Sequence, residues 1–288
     1  MIAQLGAFVG ALSGPSQRPH ECHTNHMIRS FGLMPYAALA WCAALAWGQR
    51  PSDADSAALL EKSRQKALDY SQSLPDFVCA EIIQRYAASA WGVKLGPWIY
   101  TDTLTVKLSY SQRTEGHKLE LIDGKPTGRK FEDLGGETSS GEFGGILRTV
   151  FDPASQAAFD WDSSKKARNR RIAVYRYAVR EARSPYYVRH RNTTGIVGLR
   201  GTVEIDSETG EVWRLVAMAY DIPQYLDVQF FSSTVEYALA SVAGRNYLLP
   251  GRSETEIHST ETWARNKMEF RNYRKFSADS TIDFGTGK

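Results

Sequence analysis

The chain has 288 residues, 42% of them apolar and 23% charged, a composition that excludes a disordered or fibrous chain and a length that buries a large core. Its formal net charge of +3 offers no global attraction to nucleic acid.

The first elements are not part of the fold. Residues 27–48 have the layout of a secretory signal: Arg29, an apolar run from Phe31 to Trp47, and small-residue exits at Ala44-Leu45-Ala46 or Ala46-Trp47-Gly48. The apolar run is short for a membrane span, which needs about 20 residues. A start at Met27 leaves residues 1–26 as a non-native upstream extension. His20, Cys22, His23 and His26 within it match no common metal-binding spacing, so no metal is expected. Removing residues 1–48 takes away Arg18, Arg29 and Glu21, which lowers the net charge from +3 to +2. Cys79 is then the one remaining cysteine. It can form no internal disulfide, and its apolar neighbours make it a small core residue. These readings place a periplasmic or secreted single domain at 52–285.

Ser52 or Asp53 can cap a helix that must end by Leu74, because Pro75 disfavours helical geometry in the residue before it. Residues 77–86 read as a strand with Phe77, Cys79, Glu81 and Ile83 on one face. Strands follow over 98–110 and 117–122, the latter ending in the turn sequence Asp123-Gly124-Lys125-Pro126. In the glycine-rich stretch 135–145, Ser139 and Glu142 have capping-box spacing ahead of an apolar stripe of Phe143, Ile146, Leu147 and Val150. This predicts a short lid helix over about 140–151. No phosphate-loop or nucleophile-elbow spacing is present there.

Further strands are expected at 157–161, 171–183 and 186–191. Across 163–191 ten Lys and Arg residues, including Lys165, Lys166, Arg168, Arg170 and Arg171, face one acid, Glu181. Such a strip suits an anionic membrane surface or an acidic envelope protein. The stretch 198–223 forms a hairpin around Ser207-Glu208-Thr209-Gly210. Plain alternation puts Val212, Val216 and Met218 on one face, with Arg214, and Trp213, Leu215, Ala217 and Ala219 on the other. Both faces are apolar, as in a strand with core on one side and a covering helix or ligand cavity on the other. Runs at 228–231, 234–242, 246–249, 253–262 and 267–276 complete about ten strands. With no helix between successive strands, the fold class is mainly β, antiparallel with helical additions.

His117, His190 and His258 each stand alone in local sequence, and no paired-histidine, cysteine-pair or carboxylate spacing demands a shared site. A non-enzymatic protein is expected, with no catalytic residue and no cofactor.

The V-x-Y run at 235–237 followed by Tyr247-Leu248-Leu249-Pro250 resembles the bacterial lipoprotein-carrier superfamily, which includes periplasmic outer-membrane lipoprotein-sorting proteins and a related sigma-factor regulator. The pieces LPDFVC (74–79), GEFGGIL (141–147) and FRNYRKF (270–276) are similar to secreted bacterial proteins of this type. The resemblance spans residues 56–284. It implies a curved antiparallel half-barrel with a long N-terminal helix and a short lid helix, whose concave apolar face holds acyl chains. Phe143, Ile146, Leu147, Val212, Val216 and Met218 are the candidate wall residues. The expected role is an exported, monomeric carrier or sensor of a lipid or acylated protein. The other role open to such a chain is an envelope interaction module using the basic strip at 163–191. An open apolar cleft of several hundred Å³ supports the first, whereas a concavity filled with side chains supports the second.

Overall fold

A computed structural model describes residues 50–276, apart from 92–93, 131–133, 135–141, 168 and 192. The segments 1–26 and 27–48, expected as an upstream extension and a signal, and Ser139 and Arg168 therefore lie outside the described residues. Everything described belongs to one compact unit, 44–288.

Two α-helices and fourteen strands follow one another: α1 (Asp53–Ser73), β1 (Phe77–Trp91), β2 (Lys94–Leu95), β3 (Ile99–Ser111), β4 (Thr114–Ile122), β5 (Lys125–Pro126), α2 (Gly145–Phe151), β6 (Ala158–Ala167), β7 (Arg170–Val179), β8 (Tyr187–His190), β9 (Thr193–Ile196), β10 (Gly198–Asp206), β11 (Val212–Tyr220), β12 (Val228–Val242), β13 (Arg245–Ser259) and β14 (Thr262–Lys275). Twelve strands form one antiparallel sheet in the order β5-β4-β3-β1-β14-β13-β12-β11-β10-β7-β6, with β2 beside β1; β8 and β9 pair separately. The sheet does not close, since β5 and β6 are both edges. This is the expected curved antiparallel half-barrel, with more strands than the ten expected because β2, β5 and β9 give no sequence signal.

Helix α1 starts where expected. The Ser52 Oγ accepts from the Asp55 N–H at 3.1 Å, and Leu74 leaves helical geometry with ψ 134°. The helix lies over the β10–β11 hairpin. Tyr175 Oη donates to Ser56 Oγ at 3.2 Å, and Lys62 reaches the Glu208 carbonyl in the hairpin loop. That loop is held by Asp206, whose Oδ1 accepts from the Glu208 and Thr209 N–H groups at 2.8 and 2.9 Å. Ala67 of α1 joins α2 and strands β7 and β10 to β13 in one core cluster, while β1, β3, β4, β14 and Phe143 build a second.

Among the register shifts of the sheet, two bear on the readings made from the sequence. Strand β13 runs straight through Pro250-Gly251, where the sequence suggests a break. Tyr237 faces Pro250 and Glu236 faces Arg252, so Gly251 is the extra residue of a bulge, the position at which a strand tolerates a missing proline N–H. In β11 the register shifts between Glu204↔Arg214 and Ile205↔Val212, so Trp213 is extra. This overturns the plain alternation read from the sequence. Val212 joins Leu215 and Ala217 in the core, and Val216 and Met218 turn to the opposite face beside Arg214.

Opposite Ala217, Gly201 sits under the Val216 carbonyl, to which Tyr177 Oη also donates at 3.0 Å. A Cβ at Gly201 would lie 1.9 Å from that oxygen. Gly201→Ala is therefore expected to cost about 3 kcal/mol or more, the upper end of overpacking penalties, measurable as a lower midpoint of denaturant unfolding. An unchanged midpoint would mean that β10 and β11 can separate there at no cost.

Candidate functional site

Helix α2 carries two faces at helical spacing. Ile146, Leu147, Val150 and Phe151 are buried in the core, whereas Gly145, Arg148, Thr149 and Asp152 line a cavity on the other side. The helix begins at Gly145, with Gly144 in left-handed geometry (φ 115°) before it, rather than at the expected capping box. Its opposing wall is the segment from Ala182 to Arg189, a 3₁₀ turn (Glu181–Arg183) followed by β8. The β8–β9 hairpin stands apart from the main sheet as a flap. It is fixed by the Val197 N–H on the Tyr186 carbonyl at 3.1 Å and by Gly195 pressed beneath Leu226 and Tyr225. Val188, Tyr186, Phe231 and Thr255 supply the floor, with the Tyr186 and Phe231 rings 6.1 Å apart. The cavity measures about 820 Å³, within the usual range of roughly 300 to 1,000 Å³ for ligand pockets.

The six wall candidates from the sequence do not form one surface. Phe143, Ile146 and Leu147 are packed into the core at 3% exposure or less. Phe143 stands between the rings of Phe77, Tyr110 and Phe270. Leu147 and Val212 meet at a smaller crevice of about 210 Å³ between α1 and the β11 and β13 strands. Val216 and Met218 lie on the far side of the sheet. That side is largely polar: between Arg214 and Arg271 it carries Glu236, Arg252, Glu254, Lys267 and Glu269. The sequence missed Arg148 and Thr255, which have no local pattern. It counted Arg183 and Arg189 as part of the basic strip without separating them from it.

The rest of that strip is partly engaged. Lys165 pairs with Glu204 at 2.7 Å, and Arg170 pairs with the buried Asp206 at 2.8 Å while lying over the Trp213 ring. Burial pushes the Asp206 carboxyl up, but the hydrogen bonds from Arg170, Thr209 and Glu208 outweigh it and hold this acid below its ordinary range. Lys166 and Arg171 are exposed on the β6–β7 hairpin.

A second polar group is buried on β1. Glu81 is 4% exposed, its Oε2 has no hydrogen-bond partner among the described residues, and the His117 Nε2 stands 3.7 Å away. Burial, reinforced by Glu142 and Glu115, pushes the Glu81 carboxyl up to about 8. Burial and Glu142 push Glu115 up to about 7. Burial also raises the Cys79 thiol well above its usual range, with Glu81 adding to the effect, which suits an inert core residue. His258 is stacked between Phe230 and Trp263 with its Nε2 on Glu256. Among the described residues no group of three or more His, Cys, Asp or Glu side chains is placed to hold a metal.

No family model and no curated protein matches the chain. Solved lipoprotein-sorting structures do align with it. An outer membrane lipoprotein-sorting protein domain from Vibrio parahaemolyticus has TM-score 0.33 and 10% identity, covering 77% of this chain and 93% of its own. A LolA superfamily protein from Nitrosomonas europaea has TM-score 0.28 and 8% identity, with 77% and 93% covered. A DUF1329 family protein from Desulfovibrio piger has TM-score 0.33 and 8% identity, with 78% and 94% covered.

Proposed function

We propose that this protein is an exported carrier or sensor that binds the acyl part of a lipid or acylated protein in the cavity between α2 and the β8–β9 hairpin. The cavity carries the reading: a space of about 820 Å³ floored by Phe231, Val188 and Tyr186 is a place where chain methylenes leave water. Each buried CH₂ contributes about 0.8 kcal/mol, so a chain of modest length suffices to hold a ligand. The signal-like segment at 27–48 supports export. Beneath α1 and α2 the candidate wall residues are packed into the core and leave only the crevice of about 210 Å³, which is why this reading takes the outer flank of α2 as the ligand site.

Gly145 provides the test. It lines the cavity, and a Cβ there meets nothing within 4 Å, so Gly145→Trp fills the entrance without disturbing the core. Native mass spectrometry after incubation with phospholipid vesicles is expected to show lipid adducts on the wild type and their loss on Gly145→Trp. Equal adducts on both proteins, or none on either, would refute the assignment.

A further inference from the structure

Around the same cavity three guanidinium groups arrive from three separate elements: Arg148 from α2, Arg183 from the 3₁₀ turn and Arg189 from β8. One carboxylate, Asp152, shares the lining, and its Oδ1 already accepts from the Ala154 N–H at 2.8 Å. None of the three arginine side chains makes an ion pair or hydrogen bond with another described residue. Some exposed arginines elsewhere are matched, as Arg191 is with Glu261 and Arg271 with Glu269, and others such as Arg113, Arg180 and Arg245 stand singly, so what sets these three apart is that they converge on one cavity. Like charges brought to one rim repel, and the planar guanidinium fork is matched geometrically by phosphate or carboxylate oxygens. At the floor, Thr255 is 3% exposed, and its buried Oγ1 has no hydrogen-bond partner among the described residues. An unpaired buried hydroxyl is costly, and a polar group on a ligand would satisfy it.

We infer that the cavity is selective for an amphiphile with an anionic head, phosphate or carboxylate, gripped by Arg148, Arg183 and Arg189 while its chain lies over Phe231 and Val188, the Thr255 hydroxyl at the floor being open to a polar atom of the buried part. This rests on the cavity assignment made above and adds the class of ligand. The arrangement is amphipathic: charge at the rim, and an apolar floor that carries one buried hydroxyl.

Calorimetric titration of the full chain with decyl phosphate, decyl glucoside and inorganic phosphate, the detergents kept below micelle-forming concentration, decides it. Decyl phosphate is expected to bind the wild type at least about tenfold more tightly than decyl glucoside, as charge-assisted hydrogen bonds exceed neutral ones. The triple variant Arg148→Gln/Arg183→Gln/Arg189→Gln should erase that difference, and inorganic phosphate should not bind measurably to the wild type. Equal affinity of the two detergents for the wild type would overturn the anionic head while leaving the lipid cavity standing. Inorganic phosphate binding as tightly as decyl phosphate would overturn the amphiphile in favour of a free-anion site. No binding of any probe would overturn both readings.

Discussion

Replacing Phe77 by alanine is expected to destabilise the protein by about 3 to 5 kcal/mol, the range for removing a fully buried aromatic ring. Phe77 is at 0% exposure at the start of β1, between β3 and β14. Its ring is stacked on Tyr110 at 5.2 Å and contacts Phe143 and Tyr273, each at 5.3 Å. The alanine therefore removes burial and ring contacts with three partners on three separate chain segments, and the resulting void cannot collapse without moving the sheet. Denaturant unfolding should show a lower midpoint with an unchanged slope. A loss below about 1 kcal/mol would mean that the second core cluster repacks freely, contrary to the close ring geometry.

Substituting Glu81 by glutamine is expected to stabilise the protein in mildly alkaline solution and to leave it nearly unchanged at pH 5. In the folded protein the Glu81 carboxyl holds its proton up to about pH 8, because burial and the facing Glu142 and Glu115 carboxylates oppose the charged form. Unfolded, it loses that proton near its ordinary value of about 4.3. Between these two values the unfolded chain binds fewer protons than the folded one, so stability falls as pH rises. The loss begins above the unfolded value and is complete once pH passes the folded one, and over that window it amounts to a few kcal/mol on the order-of-magnitude scale set by the shift. Glutamine carries no proton to lose. Unfolding at pH 5 and pH 8 should therefore show a steep decline for the wild type and a shallower one for Glu81→Gln, Glu115 keeping its own contribution. Parallel declines would show that the carboxyl reaches water in the folded state.

Local chemistry made much of this architecture readable from the chain. The cap at Ser52, the stop before Pro75, the inward face of Phe77, Cys79, Glu81 and Ile83, and the turn at Asp123-Gly124, with φ of 48° and 73°, all follow from rules acting within a few residues. The failures share a cause, since each depends on what lies across the sheet. Gln112 and Arg113 adopt φ of 50° and 63° in a tight turn that neither residue type announces, because the pairing of β3 with β4 imposes it. The extra residue at Trp213 changes which side Val216 and Met218 face, and only the register against β10 reveals it. The cavity was illegible for the same reason. Its rim is assembled from residues 148, 183 and 189 and its floor from 231 and 255, positions related by topology alone.

A sheet of twelve strands that does not close leaves two rows of backbone groups able to recruit another chain, the condition from which fibres grow. Here part of each row is blunted. One margin ends in β5, a lysine and a proline that cover only Leu121 and Ile122 of β4, and the proline cannot donate to an incoming strand. The other, β6, carries Asp160, Asp162, Lys165 and Lys166 exposed along its length, so a second copy laid against it would have to bury charge of both signs. The basic residues of the β6–β7 hairpin thus act in keeping this protein from polymerising through its own margins, and replacing Lys165 and Lys166 with threonine would remove the guard from the longer of the two.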